Sequence, residues 1–161
     1  MVIQPNYNYA DTRLSSLYAD IRFRRALSLA INRDEMNELI YYGRGTPRQV
    51  TVHPTSRYYE PHFATAWANY DPDHARALLD ELGVVDVDGD SIREYPDGSP
   101  FTITLEYIDW ETPKEITLEL VSQYWREVGI DLRLKIVDSN LQSARAQACL
   151  LYTSPSPRDT A

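Results

Sequence analysis

The stretch from residue 101 to 136 restricts the fold of this chain more than any other. "FTITLEY" (101–107) alternates apolar and polar side chains and puts Phe101, Ile103, Leu105 and Tyr107 on one face, the period-two pattern of a half-buried strand. "IDLRLKI" (130–136) repeats the pattern with Ile130, Leu132, Leu134 and Ile136. Between them, Thr112, Pro113 and Glu115 open a helix whose inner stripe reads Ile116, Leu120, Val121, Tyr124, Trp125 and Val128, and Gly129 closes it. Two strands joined through a helix by short connections form a βαβ unit, which requires parallel strands and a right-handed crossover. The fold class that follows is mixed α/β.

The rest of the chain is punctuated clearly. Residues Val2 to Tyr9 read as extended, because Pro5 disfavours a helix there. Asp20 caps a helix with Phe23, Leu27 and Ala30 on one face. Asn32 and Glu35 have the spacing of a capping box, Met36, Leu39 and Ile40 continue an apolar stripe, and Gly43 and Gly45 end it. Thr46 to Asn69 is irregular and rich in Pro, Tyr and His, an excursion over the surface or along a cleft. "YDPDHARALLDELG" is a short helix with Asp71 as cap, Pro72 in its first position, Leu78, Leu79 and Leu82 inward and Gly83 as stop. The turn signals "DVDGD" and "YPDGS" flank Ile92 to Tyr95 and indicate a hairpin.

Composition excludes several function classes. The 161 residues carry 16 basic and 24 acidic side chains, a net charge of −8, which opposes binding to a phosphate backbone. No apolar run approaches the roughly 20 residues that cross a bilayer, and the first residues have no secretory pattern. One cysteine, Cys149, rules out an internal disulfide or a multi-cysteine metal site. All but two of the basic residues, Lys114 and Lys135, are arginine, whose planar fork suits pairing with carboxylates.

Four constellations invite a chemical reading. Arg22, Arg24 and Arg25 on the first of two adjacent helices imitate a helix-turn-helix. The second helix, however, carries Asp34, Glu35 and Glu38 where base readout needs basic or neutral polar groups, so a DNA-binding or regulatory role is a weak alternative. Asp86, Asp88, Asp90 and Asp97 approach positions 1, 3, 5 and 12 of a calcium loop. Gly89 falls at the fourth position instead of the sixth, so a hairpin turn is the better account and a calcium-stabilised structural domain a second alternative. His53, His62 and His74 lack the spacing that aligns two imidazoles on one helix face, which argues against zinc. Twelve tyrosines include Tyr7, Tyr9, Tyr58 and Tyr59 outside regular elements, where a phenol can either cover loop surface or form the wall of an organic-ligand site. No nucleophile elbow, phosphate loop or dinucleotide fingerprint occurs, so the expectation is a protein that is not an enzyme and needs no cofactor.

Several segments together resemble a known family. "DIRFRRALSLAINRDEMNELIYYGRGTPRQVTVHP", then "YDPDHARALLDELG", "DGDSIREYPDG" and "YWREVGIDLRL", are similar in order and spacing to the extracellular solute-binding proteins of family 5, the oligopeptide- and dipeptide-binding class that serves ABC importers. The resemblance covers roughly residues 1 to 138. It implies part of the second lobe of a type II periplasmic-binding-protein fold, with residues 1–19 as the inter-lobe crossing strand and linker and 20–148 as the lobe itself. It further implies a peptide or similar small solute as ligand, ABC permease subunits as partners, no nucleic acid, a periplasmic or extracellular location, and membrane association only through an anchor or the permease. Relatives of this kind also take up nickel complexes, haem or sugars. The arginine-rich helix becomes scaffold, with Arg22 and Arg25 in structural ion pairs away from ligand. Gln4 and Asn6, on one face of the crossing strand, are the first candidates for ligand contact, followed by Tyr58 and Tyr59; no catalytic or metal-binding residue is implied. Residues 149–161, "CLLYTSPSPRD" above all, are instead similar to the translation of a sequencing-library adapter and read as a non-native tail, which leaves the family's residues for a peptide amino terminus outside this sequence.

Overall fold

The computed structural model describes residues 3–7, 9–108 and 113–147, with the side chains of 146 and 147 left aside. Thr112 and the tail from 149 therefore lie outside the described residues.

The βαβ unit is present as the sequence requires. Strand β1 (Thr102–Tyr107) and strand β2 (Asp131–Ile136) pair in parallel, from Thr102 opposite Asp131 to Tyr107 opposite Ile136, and helix α6 (Lys114–Glu127) joins them. The Val137 amide extends the ladder by donating to the Tyr107 carbonyl at 2.9 Å. On α6 the buried stripe is Thr117, Leu118, Val121, Tyr124 and Trp125, while Ile116 is 57% exposed and Leu120 half-buried. The sequence reading placed the stripe one residue too early at the first turn. Thr117 is the reason: its hydroxyl bonds the Pro113 carbonyl at 2.7 Å, so a polar side chain occupies the buried face with its hydrogen bond satisfied inside the helix.

Among the described residues, five helices precede the sheet. Helix α1 (Thr12–Ala19) begins where Asp11 accepts from the Arg13 amide and buries Leu14 and Tyr18; it lies in the stretch read from sequence as linker. Helix α2 (Ile21–Leu29) follows at once, capped by Asp20, and buries Phe23, Ala26 and Leu29 against helix α5 (Pro72–Glu81), which Asp71 caps. Helix α3 (Arg33–Tyr41) starts at Asn32, which accepts from the Glu35 amide at 3.2 Å while its own amide nitrogen donates to the Glu35 carboxylate at 3.1 Å. No residue of α3 is fully buried, and Leu39 is exposed, so the expected apolar stripe of Met36, Leu39 and Ile40 only grazes the core through Met36. Its left-handed C-terminal residue is Tyr42, one position before Gly43. Helix α4 (Pro61–Thr65) is a single turn inside the irregular stretch, and α7 (Ser139–Gln147) follows β2.

Between α5 and β1 the hairpin exists as two isolated antiparallel bridges, Val85 with Glu94 and Glu94 with Pro100. Arg93 anchors it. Its side chain runs through the core, donating from Nε to the Val128 carbonyl at 2.8 Å and from Nη1 to Asp80 and to the Val84 carbonyl, and its backbone amide donates to the Gly129 carbonyl. Gly129 permits this approach: with φ at +86°, a Cβ built there would lie 2.8 Å from Arg93 Cγ. Phe23, Phe101 and Tyr95 close the core with edge-on rings, Phe23 and Phe101 with centroids 5.9 Å apart and Tyr95 and Phe101 5.0 Å apart.

Candidate functional site

The arginine cluster at the start of α2 divides by position. Arg22 pairs with Asp20 at 2.8 Å and faces Glu81 at 3.9 Å. Arg25 makes no ion pair among the described residues; its guanidinium stacks on the Trp67 ring, 4.3 Å from the centroid, and its Nε is buried without a hydrogen-bond partner. The expected ion pair at Arg25 is thus replaced by cation–π stacking, because the neighbour brought in by the irregular loop is an indole. Arg24 turns the other way and donates to the carbonyls of Tyr18 and Ala19, at 2.6 and 2.8 Å, closing the end of α1.

Arg24 borders an open groove of about 990 Å³. Three walls frame it. The N-terminal segment contributes Ile3 to Asn6 and Tyr9, the loop after α3 contributes Gly45 to Val50, and the carboxyl end of β1 contributes Leu105 to Ile108. The floor is apolar, with Leu27, Ile31 and Leu118 among its residues. A ligand site beyond the carboxyl ends of parallel strands is the general rule for open α/β sheets. That rule pointed to Glu106 and Ile108, which sequence reading did not single out.

The loop wall is held at its base by Ser28. The Ser28 hydroxyl donates to the Trp67 carbonyl at 2.7 Å and accepts from Gln49 Nε2 at 2.7 Å and Arg33 Nη2 at 2.8 Å, so its hydrogen-bonding capacity is filled. Gln49 also bonds the Ala66 carbonyl, and its amide donates to the Ala64 carbonyl at 2.8 Å, which ties both ends of the irregular stretch to α2. Burial lowers the pKa of the Arg33 guanidinium from its ordinary value. At the strand wall Glu106 accepts from Arg145 at 2.5 Å and Lys135 at 2.9 Å, and these cations, Arg145 first, hold its carboxyl below the usual range.

The candidates read from sequence separate here. Gln4 and Asn6 line the groove, but so do Ile3 and Pro5, and residues 3–6 pair with no strand among the described residues, so strand alternation is not what selects them. Tyr9 joins them. Tyr58 is 66% exposed and Tyr59 half-buried, and neither borders the groove. The groove residues missed from sequence, Arg24, Arg48 and Gln49, are single polar residues whose convergence depends on how the loop folds back.

The acidic turn assembles differently from a calcium loop. Asp86, Asp88 and Asp90 gather with Glu94, with one oxygen of each within 4.8 Å of the others, while Asp97, expected at the closing position, bonds Ser99 and Arg13 instead. The cluster's carboxylates are engaged by backbone amides: Asp86 accepts from Gly89 and Ser91, Asp90 from Ile92, and Glu94 from Val87. No histidine joins this cluster, and His53 spends Nδ1 on Thr55 Oγ1 at 2.8 Å.

The sequence model of the bacterial extracellular solute-binding proteins, family 5, middle region, matches residues 2–159. The chain belongs to this family. As a family 5 member it adopts part of the type II periplasmic-binding-protein fold. It superposes on a solved oligopeptide-binding protein OppA with a TM-score of 0.81 and 37% identity, covering 92% of this chain and 23% of that one. The oligopeptide-binding protein AppA of Bacillus subtilis is 26% identical over 77% of this chain, and the glutathione-binding protein GsiB of Salmonella choleraesuis is 30% identical over 78%. The family 5 chain described here spans 23% of the length of AppA and 22% of GsiB. The matched range runs into residues 149–159, the stretch that sequence reading assigned to a foreign tail.

Proposed function

We propose that this chain forms one wall of the cleft of a solute-binding protein that captures a peptide or similar small solute between two lobes and delivers it to an ABC permease, in the periplasm or outside the cell. The observation that carries the reading is the groove: an apolar floor at the carboxyl end of β1, rimmed by backbone-rich segments at 3–6 and 45–50 and open on one side. Backbone outside any strand or helix along such a rim suits a peptide main chain, which supplies affinity while leaving side chains free to vary. Relatives named for oligopeptides and glutathione support a peptide ligand, while one is named for nickel and another was solved with mannohexaose bound. Residues 1–19 act as the crossing and linker segment, 20–148 as lobe, and 149–161 as foreign sequence. Gln4 and Asn6 contact the ligand directly, and Tyr58 and Tyr59 reach it only once a second lobe closes.

Closure between lobes expels water and supplies the second half of the contacts. The chain on its own therefore binds weakly, with a dissociation constant near or above ~1 mM, equivalent to about −4 kcal/mol. Titrating the isotopically labelled chain with trialanine should shift amide resonances of residues 3–6, 45–50 and 105–108 in the millimolar range. Absence of shifts there would refute the groove as ligand wall, and micromolar affinity would refute the half-cleft.

A further inference from the structure

We infer that the groove selects solutes of net negative charge, with Arg48 as the side chain that a ligand carboxylate meets. The inference rests on the groove being the ligand wall and deepens that reading.

The chain as a whole is acidic, yet its groove is lined by Arg24, Arg33, Arg48 and Lys114 against the single carboxylate of Glu106. Glu106 is already bonded to two cations, Arg145 and Lys135, so that cluster is itself net positive. What the lining cations bond to matters more than their number. Arg24 donates to the carbonyls of Tyr18 and Ala19, Arg33 to the Ser28 carbonyl and hydroxyl, and Lys114 to the Ile108 carbonyl at 3.2 Å. Each of these acceptors is neutral. Asp20, the carboxylate close enough to feel the Arg24 charge, is bonded to Arg22. Arg48 is exposed and takes part in no ion pair among the described residues.

Elsewhere on the described surface Arg13 is matched with Asp11 and Asp97, Arg22 with Asp20, Arg76 with Asp73 and Arg133 with Asp131, while Arg25, Arg44, Arg57 and Arg126 take part in no ion pair among the described residues. At the groove, four cations without an ion pair among the described residues line one cavity with a single carboxylate. Their carbonyl partners fix Arg24 and Arg33 in place without cancelling their charge, beyond the fractional charge of a helix end. A concave site of one sign with low-dielectric walls concentrates ligands of the opposite sign and accelerates their capture. Arg48, with its fork free, can hold a carboxylate by two parallel hydrogen bonds.

The test uses the labelled chain at low ionic strength and three tripeptides with blocked ends, Glu-Ala-Glu, Ala-Ala-Ala and Lys-Ala-Lys, read from amide shifts around the groove. Expected is an order of acidic, neutral, basic, with about fivefold between steps, collapsing at high salt as screening grows. Trialanine with a free carboxyl end separates a terminal from a side-chain carboxylate as the favoured group. In Arg48→Glu, which removes no described contact and so leaves folding intact, the acidic preference should shrink or invert. Equal shifts from all three peptides, unchanged in Arg48→Glu, would overturn the charge selection and leave the groove reading standing. No groove shifts from any peptide would overturn both.

Discussion

Gly129→Ala tests the packing that joins the hairpin to the βαβ unit. The substitution meets two obstacles. A φ of +86° strains an L-residue by about 1–2 kcal/mol. The new methyl also lies 2.8 Å from Arg93 Cγ, closer than Cβ atoms approach, and 3.1 Å from Nε and 3.2 Å from Cδ, both tighter than ordinary van der Waals contact. Arg93 cannot swing aside freely, because its guanidinium is held by the Val128 and Val84 carbonyls and by Asp80. Displacing it forfeits at least one hydrogen bond to a charged group, worth about 1.5–3 kcal/mol. The sum is about 2.5–5 kcal/mol, measurable by urea unfolding followed through the fluorescence of buried Trp125. A double-mutant cycle separates the two parts. In an Arg93→Ala background the clash is gone, and Gly129→Ala should cost only the backbone strain of about 1–2 kcal/mol. An identical cost in both backgrounds would show that Arg93 does not press on Gly129, and the account of this joint would fail.

Leu118→Ala should cost about 2–5 kcal/mol because the side chain is 1% exposed, whereas the solvent-facing Ile116 should lose under about 1 kcal/mol as alanine; reversed values in urea unfolding would restore the stripe read from sequence. Hydrogen bonds from Ser99 and the nearby Arg13 hold the Asp97 carboxyl at about 2, against an ordinary 3.8. A lowered carboxylate stabilises the fold above the unfolded-state value and loses that contribution as pH falls through the folded one. Stability should therefore decline between pH 3.8 and about 2, and Asp97→Asn should flatten part of that decline in an acid titration. A slope unchanged by the substitution would place the acid sensitivity elsewhere. Calcium excess and chelator should give the same melting temperature, since backbone amides already occupy the carboxylates of the 86–94 turn; a rise with calcium would revive the calcium-stabilised alternative.

Local rules account for what the sequence alone determined. The strand alternation at 101–107 and 130–134, the caps at Asp20, Asn32 and Asp71, and the stop at Gly129 each depend on residues within a few positions of one another, and all appear in the structure, whereas Ile136, read as inward, is 58% exposed. The ordered motifs carried the family as well. Tertiary structure decided the remainder. Thr117, polar and buried, was misplaced because its compensating bond to Pro113 is invisible to a hydrophobicity pattern. Arg25 found an indole instead of a carboxylate because the Thr46–Asn69 stretch folds back onto α2 through Ser28, Gln49 and Arg33. That same return brings Arg48 to a groove whose opposite rim is residues 3–6 and whose end is β1. Contacts between segments tens of residues apart follow from the closure of the whole chain and leave no periodic trace in it, so the site was legible in part and its charge not at all.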